Sequence, residues 1–189
     1  MRKEPIILPP VIPSIQSNKD MMSFLKEYDD PWVMLKIGDI NTLPAIIQRF
    51  HAKGTRVIVH QDSIRGVGLD KSGIHYLAKI GTDAIDTTKL RCIAAIKQEN
   101  MLALAGLFII DTISMESSIK VIQEGKPDYA ILMPSCLPEK IVSHIQERSG
   151  CPLIGGGLCN SKEDLDKLLQ NGLKSAVTSE KTLWHKKTK

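Results

Sequence analysis

The sequence predicts an α/β protein that folds as a compact, TIM-like (β/α)8 barrel. Short apolar, β-branched runs alternate about eight times with longer segments of helical period along the 189 residues. The runs are almost entirely apolar, as expected for parallel strands that are buried on both faces. An open, doubly wound sheet is the alternative arrangement of the same units.

The predicted strands are eight short segments that are rich in Ile, Val, Leu and Ala. They lie at residues 6–12, 32–37, 56–62, 83–88, 101–109, 129–134, 152–157 and 175–179. The predicted helices lie between them, at residues 18–28, 41–54, 72–81, 89–100, 114–125, 138–150 and 162–172. Several of these end in a glycine, which readily adopts the left-handed conformation of a helix C-terminus, at Gly54, Gly81, Gly125, Gly150 and Gly172.

The composition is that of an ordinary globular chain, and no linker interrupts the pattern, so residues 1–189 are predicted to form one barrel domain. The net charge of +4 permits anionic partners but is too small to indicate nucleic-acid binding by itself. The four cysteines lack C-x-x-C spacing, which favours reduced thiols over a zinc site. No apolar segment approaches the roughly 20 residues of a membrane helix, so we expect a soluble, cytoplasmic protein.

A phosphate site is predicted where strands 7 and 8 end. Parallel barrels carry their sites at the carboxyl ends of the strands, and phosphate often binds after strands 7 and 8. Gly155, Gly156 and Gly157 end strand 7, while Thr178 and Ser179 end strand 8. Glycine lets backbone N–H groups approach an anion, and the hydroxyls and a following short helix add further donors. The alternative is that the glycines form only a tight turn and that Ser179 caps a helix.

Other strand ends supply polar side chains that can complete a pocket, namely His60, Asp62, Lys89 and Ser135. Asp62 can bind a ligand hydroxyl or cap the next turn, and Lys89 can reach a phosphate or stay exposed. His60 lies two residues before Asp62, so the two side chains share a face and can act together. A buried histidine with its own partner is the simpler interpretation.

Signatures of common catalytic chemistry are missing. The five histidines form no H-x-H or H-E-x-x-H pattern, and no G-x-S-x-G occurs. We therefore predict no metal site, no cofactor and no catalysis, but binding of a small phosphorylated polyol. The main alternative is a phosphosugar barrel enzyme of the isomerase or aldolase type, with Lys89 forming a Schiff base and Asp62 assisting. A structural subunit that binds no ligand is a third interpretation.

Ordered motifs along nearly the whole chain resemble those of one known family. They are ILPPVIPSI at residues 7–15, RVIVHQDSIRGVG at 56–68, LFIIDTISMES at 107–117, ILMPSCLPEKIV at 131–142, PLIGGGL at 152–158 and AVTSEKTLW at 176–184. The chain resembles the glycerol uptake operon antiterminators, the GlpP family. That resemblance implies a non-catalytic barrel that senses sn-glycerol 3-phosphate. It also implies transcription antitermination through binding of the leader mRNA of a glycerol utilisation operon.

Two positions depart from the family. Ala105 and Gly106 stand where the family usually carries Gln-Arg before its Phe-Leu-Leu-Asp motif. That arginine would end strand 5 facing the pocket, so one candidate phosphate partner is missing. A diverged paralogue with another phosphorylated effector therefore remains an alternative. The sequence does not identify the RNA-binding residues, because lysines and arginines are scattered along it, and it leaves open whether the chain forms a homo-oligomer.

Overall fold

Eight parallel strands close into a barrel in which each strand pairs with its neighbour in sequence and β8 pairs with β1. The structure, a computed structural model, describes residues 6–187. The strands are β1 Val11–Ile15, β2 Trp32–Leu35, β3 Arg56–His60, β4 Ala84–Thr87, β5 Leu102–Phe108, β6 Tyr129–Met133, β7 Leu153–Gly156 and β8 Ala176–Thr178. The closed sheet confirms the predicted (β/α)8 barrel and excludes the open, doubly wound alternative.

Helices follow the first seven strands. They are α1 Asn18–Glu27, α2 Leu43–His51, α3 Lys71–Lys79, α4 Ile93–Gln98, α5 Thr112–Gly125, α6 Glu139–Ser149 and α7 Lys162–Gln170. Short 3-10 turns cover Gln61–Ser63, Leu90–Cys92 and Lys181–Leu183. Within residues 6–187, no helix combines the length and the apolar character needed to cross a membrane.

The first predicted strand was wrong in its bounds. The prediction covered residues 6–12, whereas β1 begins at Val11 and ends at Ile15. Pro9 and Pro10 lack the N–H groups that a central strand must donate, so pairing starts only after them. Pro13 lies inside β1, opposite Thr178 of β8.

Glycine ends the helices as predicted, with one exception. Gly150 caps α6 with a φ of 64°, and Gly54, Gly81 and Gly172 also have positive φ values. Helix α5 does end at Gly125 as predicted, but this glycine is still helical and does not take the left-handed conformation. Lys126 takes the left-handed conformation instead, with a φ of 49°.

Alternation along the strands separates two layers of packing. On β3, Val57 and Val59 point outward and pack with the helices, while Ile58 points into the barrel. The inward cluster fills the lower barrel with large apolar side chains and includes Trp32. Continuing the same alternation towards the carboxyl ends replaces these apolar side chains with polar ones, beginning with His60. The upper end of the barrel is therefore where the fold presents polar groups.

Candidate ligand site at the carboxyl end of the barrel

The segments that follow β7 and β8 are joined directly by a hydrogen bond. The Thr178 hydroxyl donates to the Cys159 carbonyl at 2.7 Å and accepts from the Glu180 N–H at 3.0 Å. Thr178 is buried. The two segments therefore lie side by side, as the sequence suggested. The Thr178 hydroxyl already has two protein partners, so its observed role is to hold the two segments together.

Two of the three consecutive glycines are required by packing. A Cβ on Gly155 would lie 2.6 Å from Leu168 Cδ1 on α7, so only glycine lets this helix approach the strand so closely. A Cβ on Gly156 would lie 2.9 Å from Ile131 Cγ2, inside the barrel. Packing thus accounts for both residues in the described structure. Their predicted contact with phosphate stays a prediction.

Gly157 and Leu158 form the turn that faces the open rim. Gly157 has a φ of +73°, and nothing lies within 4 Å of the position that its Cβ would occupy. Leu158 also has a positive φ, of 57°, and its side chain is exposed. Positive φ in a leucine is uncommon and is characteristic of functional or strongly constrained turns. Ser135 supports this turn, because its N–H and hydroxyl donate to the Gly157 carbonyl at 3.2 and 2.6 Å.

The start of the short helical turn after β8 carries its own carboxylate. Glu180 accepts hydrogen bonds from the Thr182 N–H at 3.1 Å and from the Thr182 hydroxyl at 2.9 Å. The backbone hydrogen bond, followed by the hydroxyl, lowers the pKa of Glu180. The N-terminal donor of this turn is therefore already occupied. Ser179, which was predicted to bind phosphate, is exposed and directly precedes Glu180 in the chain.

On the opposite side of the rim, Asp62 ties the segment after β3 to the segment after β4. Its carboxylate accepts from the Thr88 N–H at 2.9 Å and from the Thr88 hydroxyl at 3.1 Å. Lys89 follows directly and is exposed. Its N–H donates to the Thr87 hydroxyl at 3.1 Å. The observed role of Asp62 is thus to connect two neighbouring segments, which differs from the predicted capping of the next turn, and its predicted contact with a ligand hydroxyl stays a prediction.

His60 pairs with a residue that sequence reasoning missed. Its Nδ1 lies 2.5 Å from Asp86 Oδ2, and the two residues are register partners on β3 and β4. The His60 side chain is 17% exposed and the Asp86 side chain 5%. From the sequence, His60 was predicted to act with Asp62, two residues further along the chain. A signal for Asp86 was present, because it is the charged residue inside the short strand DAIDTT and shares a face with Thr88.

The inward positions at the upper end of the strands make up the floor and wall of the candidate site. By alternation from the apolar interior they are Ser14, Lys36, His60, Asp86, Gly106, Met133, Gly156 and Ser179. They offer one ammonium group, one histidine–carboxylate pair and two positions without side chains. This set can bind a small molecule that carries both an anionic group and hydroxyl groups.

Comparison with known proteins identifies the family. The family model described as "Glycerol-3-phosphate responsive antiterminator" matches residues 11–184, which span the barrel from β1 to Trp184. The chain belongs to this antiterminator family. The resemblance drawn from the sequence motifs is thereby confirmed.

Members and relatives of the antiterminator family share the barrel along almost its whole length. The glycerol uptake operon antiterminator regulatory protein of Listeria monocytogenes has 30% identity and a TM-score of 0.88, covering 95% of this chain and 98% of its own. A glycerol uptake operon antiterminator-related protein of Thermotoga maritima has 22% identity and a TM-score of 0.84, covering 94% and 99%. The uncharacterized protein YgcP of Escherichia coli K12 is 26% identical over 176 residues, which cover 93% of this chain and 91% of YgcP.

Aldolases share only the architecture of the antiterminator barrel. A putative deoxyribose-phosphate aldolase from Coccidioides immitis has a TM-score of 0.70 at 11% identity, covering 92% of this chain and 82% of its own. At that identity, the likeness extends to the fold alone. Lys36 is the lysine at an inward position of the rim. Lys89, which would form the Schiff base in an aldolase-type enzyme, lies exposed beyond β4.

Proposed function

We propose that this protein senses a small phosphorylated polyol, with sn-glycerol 3-phosphate as the effector. In this proposal it responds by binding the leader mRNA of a glycerol utilisation operon and promoting antitermination. The membership of the antiterminator family supports the regulatory role and the effector class. The observation that carries the effector site is the 2.7 Å hydrogen bond from Thr178 to Cys159, because it holds the segments after β7 and β8 together.

The phosphate group binds against the turn formed by Gly157 and Leu158, with Ser179 opposite. Two consecutive left-handed residues bring neighbouring backbone N–H groups to one side of a turn, and such concavities attract anions. Gly157 leaves the approach open because nothing lies within 4 Å of its absent Cβ. Ser135 keeps the turn in place by donating two hydrogen bonds to its carbonyl. Thr178 positions the site through Cys159.

The response to the effector requires two states of the protein that bind it with different affinity. The rim is built from segments that are tied pairwise, Thr178 to Cys159 and Asp62 to Thr88. A ligand that contacts several of these segments favours one arrangement of the rim, and RNA affinity changes with that arrangement. The net charge of +4 is compatible with a polyanionic partner.

The proposal is tested by leader-RNA binding at fixed salt concentration with and without sn-glycerol 3-phosphate. The expected result is a several-fold change in RNA affinity that glycerol and inorganic sulfate do not produce. Ser179→Ala should weaken the response, because it removes a hydroxyl from the phosphate site. Thr182→Ala is the matched control, since its hydroxyl is committed to Glu180. Equal RNA affinity in both conditions would remove the regulatory claim, and absence of sn-glycerol 3-phosphate binding would remove the effector.

A further inference from the structure

We propose that Asp86, held by His60 and bordered by Gly106 rather than by a larger side chain, forms a hydroxyl-binding subsite that sets the protein's selectivity among phosphorylated polyols. The inference rests on the proposed function, since it assumes that a phosphorylated polyol binds at the rim. It assigns the polyol end of that ligand to the wall formed by β3, β4 and β5. The phosphate end stays at the segments after β7 and β8.

One carboxylate oxygen of Asp86, Oδ1, has no hydrogen-bond partner in the part of the chain that the structure describes. Its side chain is only 5% exposed, and Oδ2 is paired with His60 Nδ1 at 2.5 Å. Among residues 6–187, no protein group donates a hydrogen bond to Asp86 Oδ1, although this atom is buried. A buried carboxylate oxygen without a donor is costly, so the site favours a molecule that brings an O–H group to it.

The Nδ1 atom of His60 contacts the Asp86 carboxylate and is therefore not available to a ligand. In this proposal His60 is a positioning residue. Because Nδ1 faces Asp86 Oδ2, the ring donates there and fixes the rotation of the carboxylate. The register pairs the two residues directly across β3 and β4, so the contact is set by the sheet and not by a mobile segment. Oδ1 is thus held at one place at the upper end of the barrel.

Gly106 keeps side-chain bulk away from that buried oxygen. A Cβ at this position would lie 3.3 Å from Asp86 Oδ1 and 3.3 Å from Met133 Cε. Any larger side chain would extend over the carboxylate or displace the methionine. Glycine therefore adds no side chain beside Asp86 Oδ1, and the flexible Met133 methyl group is the neighbour that a ligand hydroxyl must displace to reach this oxygen.

Met133 links this wall to the phosphate side. Its Cε lies 3.3 Å from the position of a Cβ on Gly106, and its Cγ lies 3.1 Å from that on Gly156. The methionine side chain thus spans the floor between β5 and β7, and it is partly exposed. An unbranched thioether adapts its shape to what lies on it. A polyol carbon chain lying over Met133 can place its phosphate near Gly157 and a hydroxyl near Asp86.

The test is calorimetric titration of the full chain with three ligands: glycerol 3-phosphate, ribitol 5-phosphate as a longer polyol phosphate, and inorganic phosphate. Asp86→Asn and Gly106→Ala should each weaken binding of the preferred polyol phosphate about tenfold or more, since a hydrogen bond to a charged acceptor is lost or blocked. Both variants should retain the wild-type affinity for inorganic phosphate. Asp83→Asn is the matched control, because it makes the same change at the other end of β4, where Asp83 accepts from the Val57 N–H.

His60 is tested as a positioning residue by rescue. His60→Ala should lose the selectivity for polyol phosphate over inorganic phosphate. His60→Asn should restore most of it, because its amide nitrogen can donate to Asp86 from a similar place. If both variants behave alike, His60 has no positioning role.

The possible results separate this inference from the proposed function. If wild-type protein binds polyol phosphates and neither Asp86→Asn nor Gly106→Ala changes their affinity relative to inorganic phosphate, the subsite is overturned and the proposed function stands. If wild-type protein binds neither kind of phosphate, the proposed function fails and the subsite fails with it. Gly106→Ala keeps the test decisive if Asp86→Asn does not fold.

Discussion

The hydroxyl of Thr178 donates a 2.7 Å hydrogen bond to the carbonyl oxygen of Cys159, across the junction of the last two barrel units. The segments that follow parallel strands lie outside the sheet, and they are joined by backbone hydrogen bonds in some places, as between Ser135 and Gly157, and by side chains in others. Here one buried threonine joins two of them while also accepting from Glu180. We therefore expect both stability and ligand binding to depend on the same hydroxyl.

Replacing this threonine should weaken both properties. Thr178→Val keeps the shape of the side chain but leaves the Cys159 carbonyl and the Glu180 N–H without their partner. We expect a loss of about 1–3 kcal/mol in the free energy of unfolding, measured by urea titration, and weaker phosphate binding. Thr182→Val is the control, because its hydroxyl bond to Glu180 is exposed. Equal effects of the two substitutions would contradict the special role of Thr178.

Gly155 should tolerate no side chain. A methyl group at this position would lie 2.6 Å from Leu168 Cδ1 and 2.7 Å from Ser135 Cβ, so the Leu168 side chain and the segment around Ser135 must shift. Overpacking of this kind costs about 1–3 kcal/mol, which thermal or urea unfolding of Gly155→Ala would detect. Gly125→Ala is the matched control, since its added methyl meets only ordinary contacts of 3.6 Å or more. An unchanged stability of Gly155→Ala would show that α7 does not approach β7 so closely.

Asp30 should give the protein a measurable pH dependence. Burial raises the pKa of its carboxyl from 3.8 to about 6, even though the His185 N–H donates to both carboxylate oxygens. The folded state then holds the proton more tightly than the unfolded chain. The contribution of this group to stability is complete below about pH 3.8 and is lost as the pH rises through 6.

Asp30→Asn removes that titration while keeping an oxygen that can accept from His185. Relative to wild type, the variant should gain roughly 2 kcal/mol of stability between pH 4 and pH 7. Urea unfolding across this range measures the difference, and carboxylates with lowered pKa values affect both proteins alike. Asp166→Asn is the control, because that side chain is 49% exposed and lies on α7, away from Asp30. A constant difference between Asp30→Asn and wild type at all pH values would count against the raised pKa.

Lys89 should form no Schiff base. The residue is exposed beyond β4, outside the set of inward rim positions, so it is not held against the bound ligand. Borohydride treatment with dihydroxyacetone phosphate should leave the mass of the peptide that contains Lys89 unchanged. Lys89→Arg provides the background for comparison. A reduced adduct on Lys89 would revive the interpretation as an aldolase-type enzyme.

The barrel could be predicted because each of its strands and helices has a recognisable pattern within its own short stretch of sequence. Parallel strands that are buried on both faces must be apolar, and the eight apolar runs match the eight observed strands to within a few residues, apart from the late start of β1. Helix ends were predicted through the conformational freedom of glycine. The left-handed conformation of Lys126 was not predictable in this way, because lysine does not favour a positive φ.

The site was only partly predictable, since its key contacts depend on register between strands. The sequence indicated that the segments after β7 and β8 lie side by side. It did not indicate that the Thr178 hydroxyl donates to the Cys159 carbonyl. The pairing of His60 with Asp86 requires knowing which residues of β3 and β4 face each other. Period-2 alternation fixes which face a residue occupies, yet it does not fix its partner on the next strand. Reasoning along one strand therefore reached Asp62 instead of Asp86.

The indole of Trp184 donates to the carbonyl of Thr178 at 3.1 Å, and its ring packs in a buried cluster with Phe24 and Tyr28. The other tryptophan of the chain, Trp32, lies in the apolar interior near the opposite end of the barrel. The chain therefore contains its own optical reporter: with Trp32 replaced by phenylalanine, the emission of a single fluorophore would register any displacement of the eighth strand's end, without a dye, a tag or a second molecule.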